Sequence, residues 1–335
     1  MNLDFSELEK MNTAADFNGA LAVTAPDRVL YTVSRGIADY ATGIPFTLQT
    51  TSGIGSVSKQ FLATVVLMLA AEKRLHLTDK LAEYLPEYRF ADQITLRQLL
   101  NMAAGVPDYV DAVVDQVVAG RPIATPDDDP QVNRAVGENI PLTQALALIN
   151  PLPLTYTPGS ESRYSNSNYL LLGTVVERIL GAPLSVIFEQ RLFSPLGMTR
   201  TKLGTQHAQA NSYLRTANNC LTTIGRGHHT AGDGGIVTSI TDLTRWAQAI
   251  LQHRFLGPAV WQEAMTLYKD FYGFAWLRRA GWSWHGGRVL GFQADIYVAP
   301  AQQLATTWVY NVTPVDDPRL ATWYQQRDAW HARLL

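Results

Sequence analysis

A chain of 335 residues that is 47% apolar and 10% aromatic holds enough hydrophobic material for one or two cores, which excludes a disordered polypeptide. Its 27 basic and 29 acidic side chains leave a net charge of −2, so no basic footprint for nucleic acid is present. The single cysteine, Cys220, cannot close an internal disulfide, and no Cys/His spacing fits a zinc module. No metal and no other cofactor is expected.

The opening Met1–Lys10 places Asp4, Glu7 and Glu9 where a secretory leader needs an apolar stretch, so the chain reads as cytoplasmic. The uncharged stretches 139–160 and 296–315 are interrupted by prolines and by Gln302-Gln303, and no membrane span is expected. A short helix is expected over 6–15, then a hairpin of strands 19–24 and 29–34 joined by Ala25-Pro-Asp-Arg28. Only Thr64 interrupts the apolar residues from Phe61 to Ala71, the pattern of a helix buried on every side.

Thr125-Pro-Asp-Asp-Asp-Pro130 reads as a solvated loop. Helical patterns cover 95–104, 142–149, 168–180, 183–193 and 239–252, the last opened by the capping box Ser239-Ile-Thr-Asp242. Strand patterns return at 272–278, 282–285, 292–299 and 304–310, ahead of a final helix from Pro318. Strands at both chain ends must share a sheet to bury their apolar faces. The expected class is therefore α+β, with residues 1–55 and 266–335 in a shared sheet region and residues 56–265 in a mostly helical lobe.

The first chemical signal is Ser52-Gly-Ile-Gly-Ser-Val-Ser-Lys-Gln60, directly before the buried helix. Lys59 stands where an acid would favour the helix start, a cation at the positive end of the dipole. Such a departure from local preference marks a functional position. Burial and the dipole both depress an ammonium pKa, which makes Lys59 a candidate base. Residues three apart share a helix face, so Ser56 reaches Lys59 whereas Ser58 is turned about 100° away. Of six lysines, only Lys59 has a serine three positions before it.

Two further segments carry polar groups that suit a cleft. Tyr164-Ser-Asn166 precedes a helix, and its phenol and carboxamide, two residues apart in an extended stretch, point the same way. The alternative is a packed tyrosine with Asn166 capping the helix. Trp284-His-Gly-Gly-Arg288 ends a late strand, where paired glycines admit a ligand to the backbone and free amides for an oxyanion hole. The alternative there is a tight turn with a structural histidine. His228-His229 reads as loop rather than metal site, because adjacent side chains diverge. Of the tryptophans, Trp284 is the one expected in a cleft.

Taken in order, Ser56-x-x-Lys59, Tyr164-x-Asn166 and His285-Gly-Gly287 resemble the serine β-lactamase and penicillin-binding-protein superfamily, in its class C, D,D-carboxypeptidase and esterase branch. Gly53–Phe61, Leu99–Tyr109, Tyr164–Gly173 and Gly232–Ser239 look like segments of that branch too, so the resemblance spans about residues 15–312. It implies an antiparallel sheet flanked by helices, made from both chain ends, beside a mostly helical lobe with the active site at the interface. It implies Ser56 as the acylated nucleophile and Lys59 with Tyr164 as general base and acid. It further implies Asn166 holding substrate polar atoms, and an oxyanion hole from the amides of Ser56 and Arg288.

Relatives that grip a carboxylate carry Lys-Thr-Gly at the third motif; here His285-Gly286 supplies neither cation nor hydroxyl, though Arg288 stands close by. The Met102-Ala-Ala104 segment also looks apolar where relatives are polar. The expectation is a serine hydrolase acting on a small ester or amide, esterase-like, with D,D-carboxypeptidase, D-aminopeptidase or β-lactamase activity as alternatives. A non-catalytic binding or sensor module is the alternative from another class. The expected partner is a small-molecule ester, amide or peptide, with no nucleic acid and no membrane.

Overall fold

The computed structural model describes residues 5–121, 128–216, 218–315 and 318–335. The first four residues, and positions 125–127 of the expected solvated loop, lie outside them. The elements that place the site are, in chain order, α1 (Ser6–Ala14), β1 (Gly19–Thr24), β2 (Val29–Arg35), α2 (Ser58–Ala71), α3 (Tyr109–Val118), α4 (Pro130–Val136), α5 (Asn166–Leu180), α6 (Ile240–Leu251), β3 (Leu277–Arg279), β4 (Trp282–Val289), β5 (Phe292–Ala299), β6 (Leu304–Tyr310) and α7 (Pro318–Ala332).

β1 is buried at every position because both of its faces are covered. Leu21 and Val23 join Trp282, Trp308, Trp323 and Trp330 in a core beneath α1 and α7. Ala20 and Ala22 turn to the larger core shared with α2 and α6. Successive side chains of a strand point to opposite faces, so a continuous apolar stretch is what a doubly covered strand requires. The sheet runs β3-β4-β5-β6-β1-β2, antiparallel throughout, with Gly19 opposite Tyr310 and Gly287 opposite Ala294. Both chain ends thus build one sheet, with α1 and α7 covering one face and α6 packed on β1, β5 and β6 on the other.

α2 is buried along almost its whole length, as its composition requires. Phe61 stacks on Trp246 with ring centroids 4.1 Å apart, and the Trp246 indole donates to Gln60 Oε1 at 3.1 Å. Ahead of α2 a single 3-10 turn, Gly55–Val57, carries the chain to the edge of β4. β3 pairs only as far as Trp284, so the edge of β4 from His285 onward faces that turn. The approach is so close that a Cβ on Gly287 would lie 1.9 Å from the Ile54 carbonyl oxygen and 2.8 Å from Ser56 N. A Cβ on Gly55 would lie 2.5 Å from Arg288 N.

Several expected elements differ for local reasons. The helix expected over 95–104 is Leu96–Leu100, because Met102 takes φ 56° and Gly105 φ 73°, conformations that no right-handed helix contains. The strand expected over 272–278 shortens to β3, broken at Ala275 with φ 65°. The third motif lies inside β4, not at the end of a strand or in a tight turn. The helix expected from 168 begins at Asn166, so Asn166 occupies its first turn.

Only half of the Ser239 capping box forms: Ser239 Oγ accepts from Asp242 N at 3.3 Å, while the Asp242 carboxylate accepts from Arg200 N and Thr201 Oγ1. The sequence reading left α3 and α4 unassigned; each is opened by an aspartate, Asp108 accepting from Val110 N and Asp129 from Gln131 N and Val132 N. Among the described residues no single helix is long and apolar enough to cross a membrane.

Candidate active site

Ser56, Lys59, Tyr164 and Asn166 meet where the 3-10 turn, the first turn of α2 and the start of α5 converge. Lys59 is fully buried, and its Nζ donates to Ser56 Oγ at 3.0 Å, Asn166 Oδ1 at 2.8 Å and the Asp233 carbonyl oxygen at 2.5 Å. Three acceptors saturate an ammonium. Burial nevertheless lowers the Lys59 pKa from 10.5 to about 8, against the attraction of Asp233 and Asp108. Tyr164 Oη donates to Ser56 Oγ at 2.6 Å, and burial raises its pKa, so the phenol stays protonated. The serine oxygen therefore lies between a removable proton on one side and a firmly held one on the other.

A second layer of polar groups fixes this arrangement. Asp108 Oδ2 accepts from both the backbone N and Nδ2 of Asn166 at 2.9 Å, which leaves the Asn166 carbonyl oxygen pointing at Lys59. Burial raises the Asp108 pKa to about 6 despite those bonds. The Asp233 carboxylate accepts from Tyr109 Oη at 2.7 Å and bonds His229 Nε2 at 2.9 Å. Burial opposes the charge of Asp233, yet His229, Lys59 and Tyr109 hold its pKa down at about 2. Burial likewise opposes a charged His229, but the Asp233 carboxylate and the Glu138 carbonyl raise its pKa above 6.5.

The third motif supplies backbone rather than charge. His285 is buried, its Nδ1 donating to the Gly286 carbonyl at 2.6 Å, so Nε2 accepts from Tyr272 Oη at 2.7 Å. Burial, aided by the nearby Lys59 charge, lowers its pKa to about 3, so the ring is neutral. Arg288 Nη2 reaches Asp128 Oδ1 at 3.3 Å. A cleft of about 1090 Å3 runs past Ser56, Tyr164, Asn166, His285, Gly287 and Arg288, so all of these expected site residues border one space except Lys59, which lies buried beneath Ser56.

Trp284 borders the cleft, while Trp246, Trp261, Trp276 and Trp282 are core. Met102, Ala103 and Ala104 are almost fully buried away from it, so the apolar look of that segment bears on packing and not on substrate polarity. Sequence reasoning missed Asp108, Tyr109, His229, Asp233 and Tyr272. The available signal was the pair Asp108-Tyr109 and the single acid Asp233 among the small residues Ala231–Gly235, but pairing across 124 residues is invisible without the fold.

Residues 8–329 match the family model described as Beta-lactamase. A D-aminopeptidase of Brucella anthropi is 30% identical over 311 residues, covering 88% of this chain and 56% of that protein, so the chain spans a little over half the length of this relative. Among solved structures, a penicillin binding protein from Bacillus halodurans superposes with TM-score 0.78 at 20% identity, covering 95% of this chain and 98% of the other. A D-amino acid amidase from Ochrobactrum anthropi SV3 gives TM-score 0.77 at 19% identity, covering 97% and 98%.

Proposed function

The chain belongs to the beta-lactamase family, and on that premise we propose that it is a serine hydrolase that works through an acyl-enzyme on Ser56. The observation that carries this reading is Ser56 Oγ set between Lys59 Nζ at 3.0 Å and Tyr164 Oη at 2.6 Å. With Lys59 neutral, its amine takes the hydroxyl proton as Ser56 Oγ attacks the substrate carbonyl carbon. The amides of Ser56 and Arg288, on facing backbones, hold the oxygen as it gains charge.

Collapse of the tetrahedral intermediate breaks the bond to the leaving group, which takes the Tyr164 proton. Lys59 returns a proton to Tyr164. Water then repeats the sequence on the acyl-enzyme and frees the acid. Asn166 orients Lys59 and faces the substrate; His285 holds the edge of β4 as a neutral ring.

The substrate is a small ester or amide whose leaving group carries no carboxylate. A neutral His285 and an Arg288 already bonded to Asp128 leave a carboxylate without its charge-assisted hydrogen bond. The lost bond amounts to about 1.5–3 kcal/mol, or about one to two decades in specificity. Hydrolysis of a D-amino-acid amide or peptide is the second reading, favoured by the D-aminopeptidase at 30% identity. The test compares kcat/KM for a p-nitrophenyl short-chain ester, D-alanine p-nitroanilide and a chromogenic cephalosporin, in wild type and Arg288→Ala. The ester and the anilide should exceed the cephalosporin, with Arg288→Ala changing that order little. A cephalosporin preference that Arg288→Ala removes would make Arg288 a carboxylate anchor.

A further inference from the structure

Beyond Trp284, the strand that carries the third motif lacks a neighbour on one side. The turn Ala280-Gly281, with φ 49° and 84°, is a two-residue hairpin, in which the flanking Arg279 and Trp282 exchange both backbone bonds. By alternation Trp284, Gly286 and Arg288 turn their N–H and C=O toward that same edge of β4. β3 covers the edge only as far as Trp284, so no strand holds Gly286 or Arg288 there. Gly286 and Gly287 carry no side chains to restrict the backbone, and glycine is the most permissive residue. Yet the Arg288 amide has to be preorganised to meet the substrate oxygen.

A chain of two hydrogen bonds braces this stretch. The Gly286 carbonyl can only accept, so its 2.6 Å contact with His285 Nδ1 puts the ring proton on that nitrogen. A neutral ring holds one proton, so Nε2 accepts and Tyr272 Oη, 2.7 Å away, donates. Tyr272 and His285 are 0% and 1% exposed, so water does not replace these bonds. Around the imidazole stand Tyr164, Tyr272 and Trp284, and Lys59 is the charge that acts on it. An imidazole bonded at one nitrogen is free to turn about its side-chain torsion; bonded at both, it is fixed.

We propose that Tyr272 is a positioning residue for the oxyanion hole: by donating to His285 Nε2 it aims Nδ1–H at the Gly286 carbonyl, and so fixes the glycine pair ahead of Arg288 N. The assignment rests on the serine-hydrolase reading and adds to it a residue that acts without touching the substrate.

The experiment compares wild type, Tyr272→Phe, His285→Asn, the double variant and Ser56→Ala on a p-nitrophenyl short-chain ester. Phenylalanine keeps the ring that packs on Tyr164, with centroids 5.8 Å apart, and removes only the hydroxyl. In Tyr272→Phe, kcat should fall about 10- to 100-fold with KM within about twofold, because the oxyanion forms only after binding; outright loss of an oxyanion donor costs about 10²- to 10³-fold. Asparagine at position 285 offers an N–H near the Nδ1 position without help from Tyr272, so Tyr272→Phe should cost at most about twofold in that background. Nitrogen-15 NMR of histidine-labelled wild type should show His285 with Nδ1 protonated and Nε2 bare from pH 6 to 9. Wild-type kcat in Tyr272→Phe, an equal loss in both backgrounds, or a wild-type ring protonated at Nε2 overturns the brace alone. Turnover that survives Ser56→Ala, or no ester turnover by wild type, overturns the serine-hydrolase reading and the brace with it.

Discussion

Tyr164 Oη lies 2.6 Å from Ser56 Oγ although 108 residues separate them in the chain. The contact exists because α5 starts at Asn166, which places Tyr164 at the end of an extended stretch over the turn that carries Ser56. Tyr164→Phe removes one hydroxyl and keeps the ring packing on Tyr272 and His285. Turnover should fall about 10²- to 10⁴-fold while stability changes by only about 1 kcal/mol. Steady-state kinetics beside denaturant unfolding decide it; wild-type turnover would return Tyr164 to a packing role.

The pH profile should report Lys59. Its folded pKa is below the ordinary 10.5, so the neutral amine grows as pH rises through about 8. Acylation, read as kcat/KM, should climb about tenfold per unit below that pH and level off above it. Tyr164 stays protonated and His285 stays neutral across this window. A separate limb near 6 would belong to Asp108 and should move in Asp108→Asn. A profile flat from pH 6 to 9 would remove Lys59 from proton transfer.

His229 should matter for stability in a definite pH window. Its pKa is raised above 6.5, so its contribution is complete below 6.5 and fades as pH climbs through the folded value. Asp233 is lowered from 3.8 to about 2, so its contribution is present above 3.8 and fades as pH falls through 2. The gap between wild type and His229→Ala should therefore be largest between about pH 4 and 6.5, at about 3–5 kcal/mol, because Asp233 loses a buried partner. His229→Ala should also slow turnover, because His229 holds Asp233, whose carbonyl accepts from Lys59, and His229→Gln, which restores a donor, should recover most of that loss. A gap constant from pH 3 to 9, with no rescue by glutamine, would contradict the positioning role.

Gly287→Ala tests the seam between β4 and the serine turn. Its Cβ would fall 1.9 Å from the Ile54 carbonyl oxygen, closer than any contact allows, so the turn must move and the two facing amides part. Overpacking of this kind costs about 1–3 kcal/mol. Activity should drop by more than the stability loss accounts for, measured as the active fraction at a temperature where far-UV circular dichroism shows both proteins folded. Full activity in the alanine variant would place the seam elsewhere.

Much of this arrangement was legible in residues that act locally. Ser56 and Lys59 are three apart on one helix start, and the strands at both chain ends had no other way to cover Leu21, Val23 and Trp308 than a shared sheet. Positions set by long-range contact were not legible. Helix 95–104 stops early because Met102 adopts positive φ, and nothing about a methionine announces that. The third motif looked like the end of a strand because glycines weaken a strand pattern, yet Gly287 is in mid-strand where only the absence of a Cβ lets the serine turn approach. Arg288 was readable as a possible anchor, but its bond to Asp128 joins residues 160 apart.

The central claim is that Ser56 becomes covalently acylated with Lys59 as its base. The most direct measurement is intact-mass spectrometry after a fluorophosphonate or a slow p-nitrophenyl ester, followed by peptide mapping, in wild type, Ser56→Ala, Ser58→Ala and Lys59→Ala. The account predicts a single adduct on Ser56, absent in Ser56→Ala, present in Ser58→Ala, and forming at least about 10³-fold more slowly in Lys59→Ala. An adduct that persists in Ser56→Ala and disappears in Ser58→Ala, or acylation at the wild-type rate without Lys59, would contradict it.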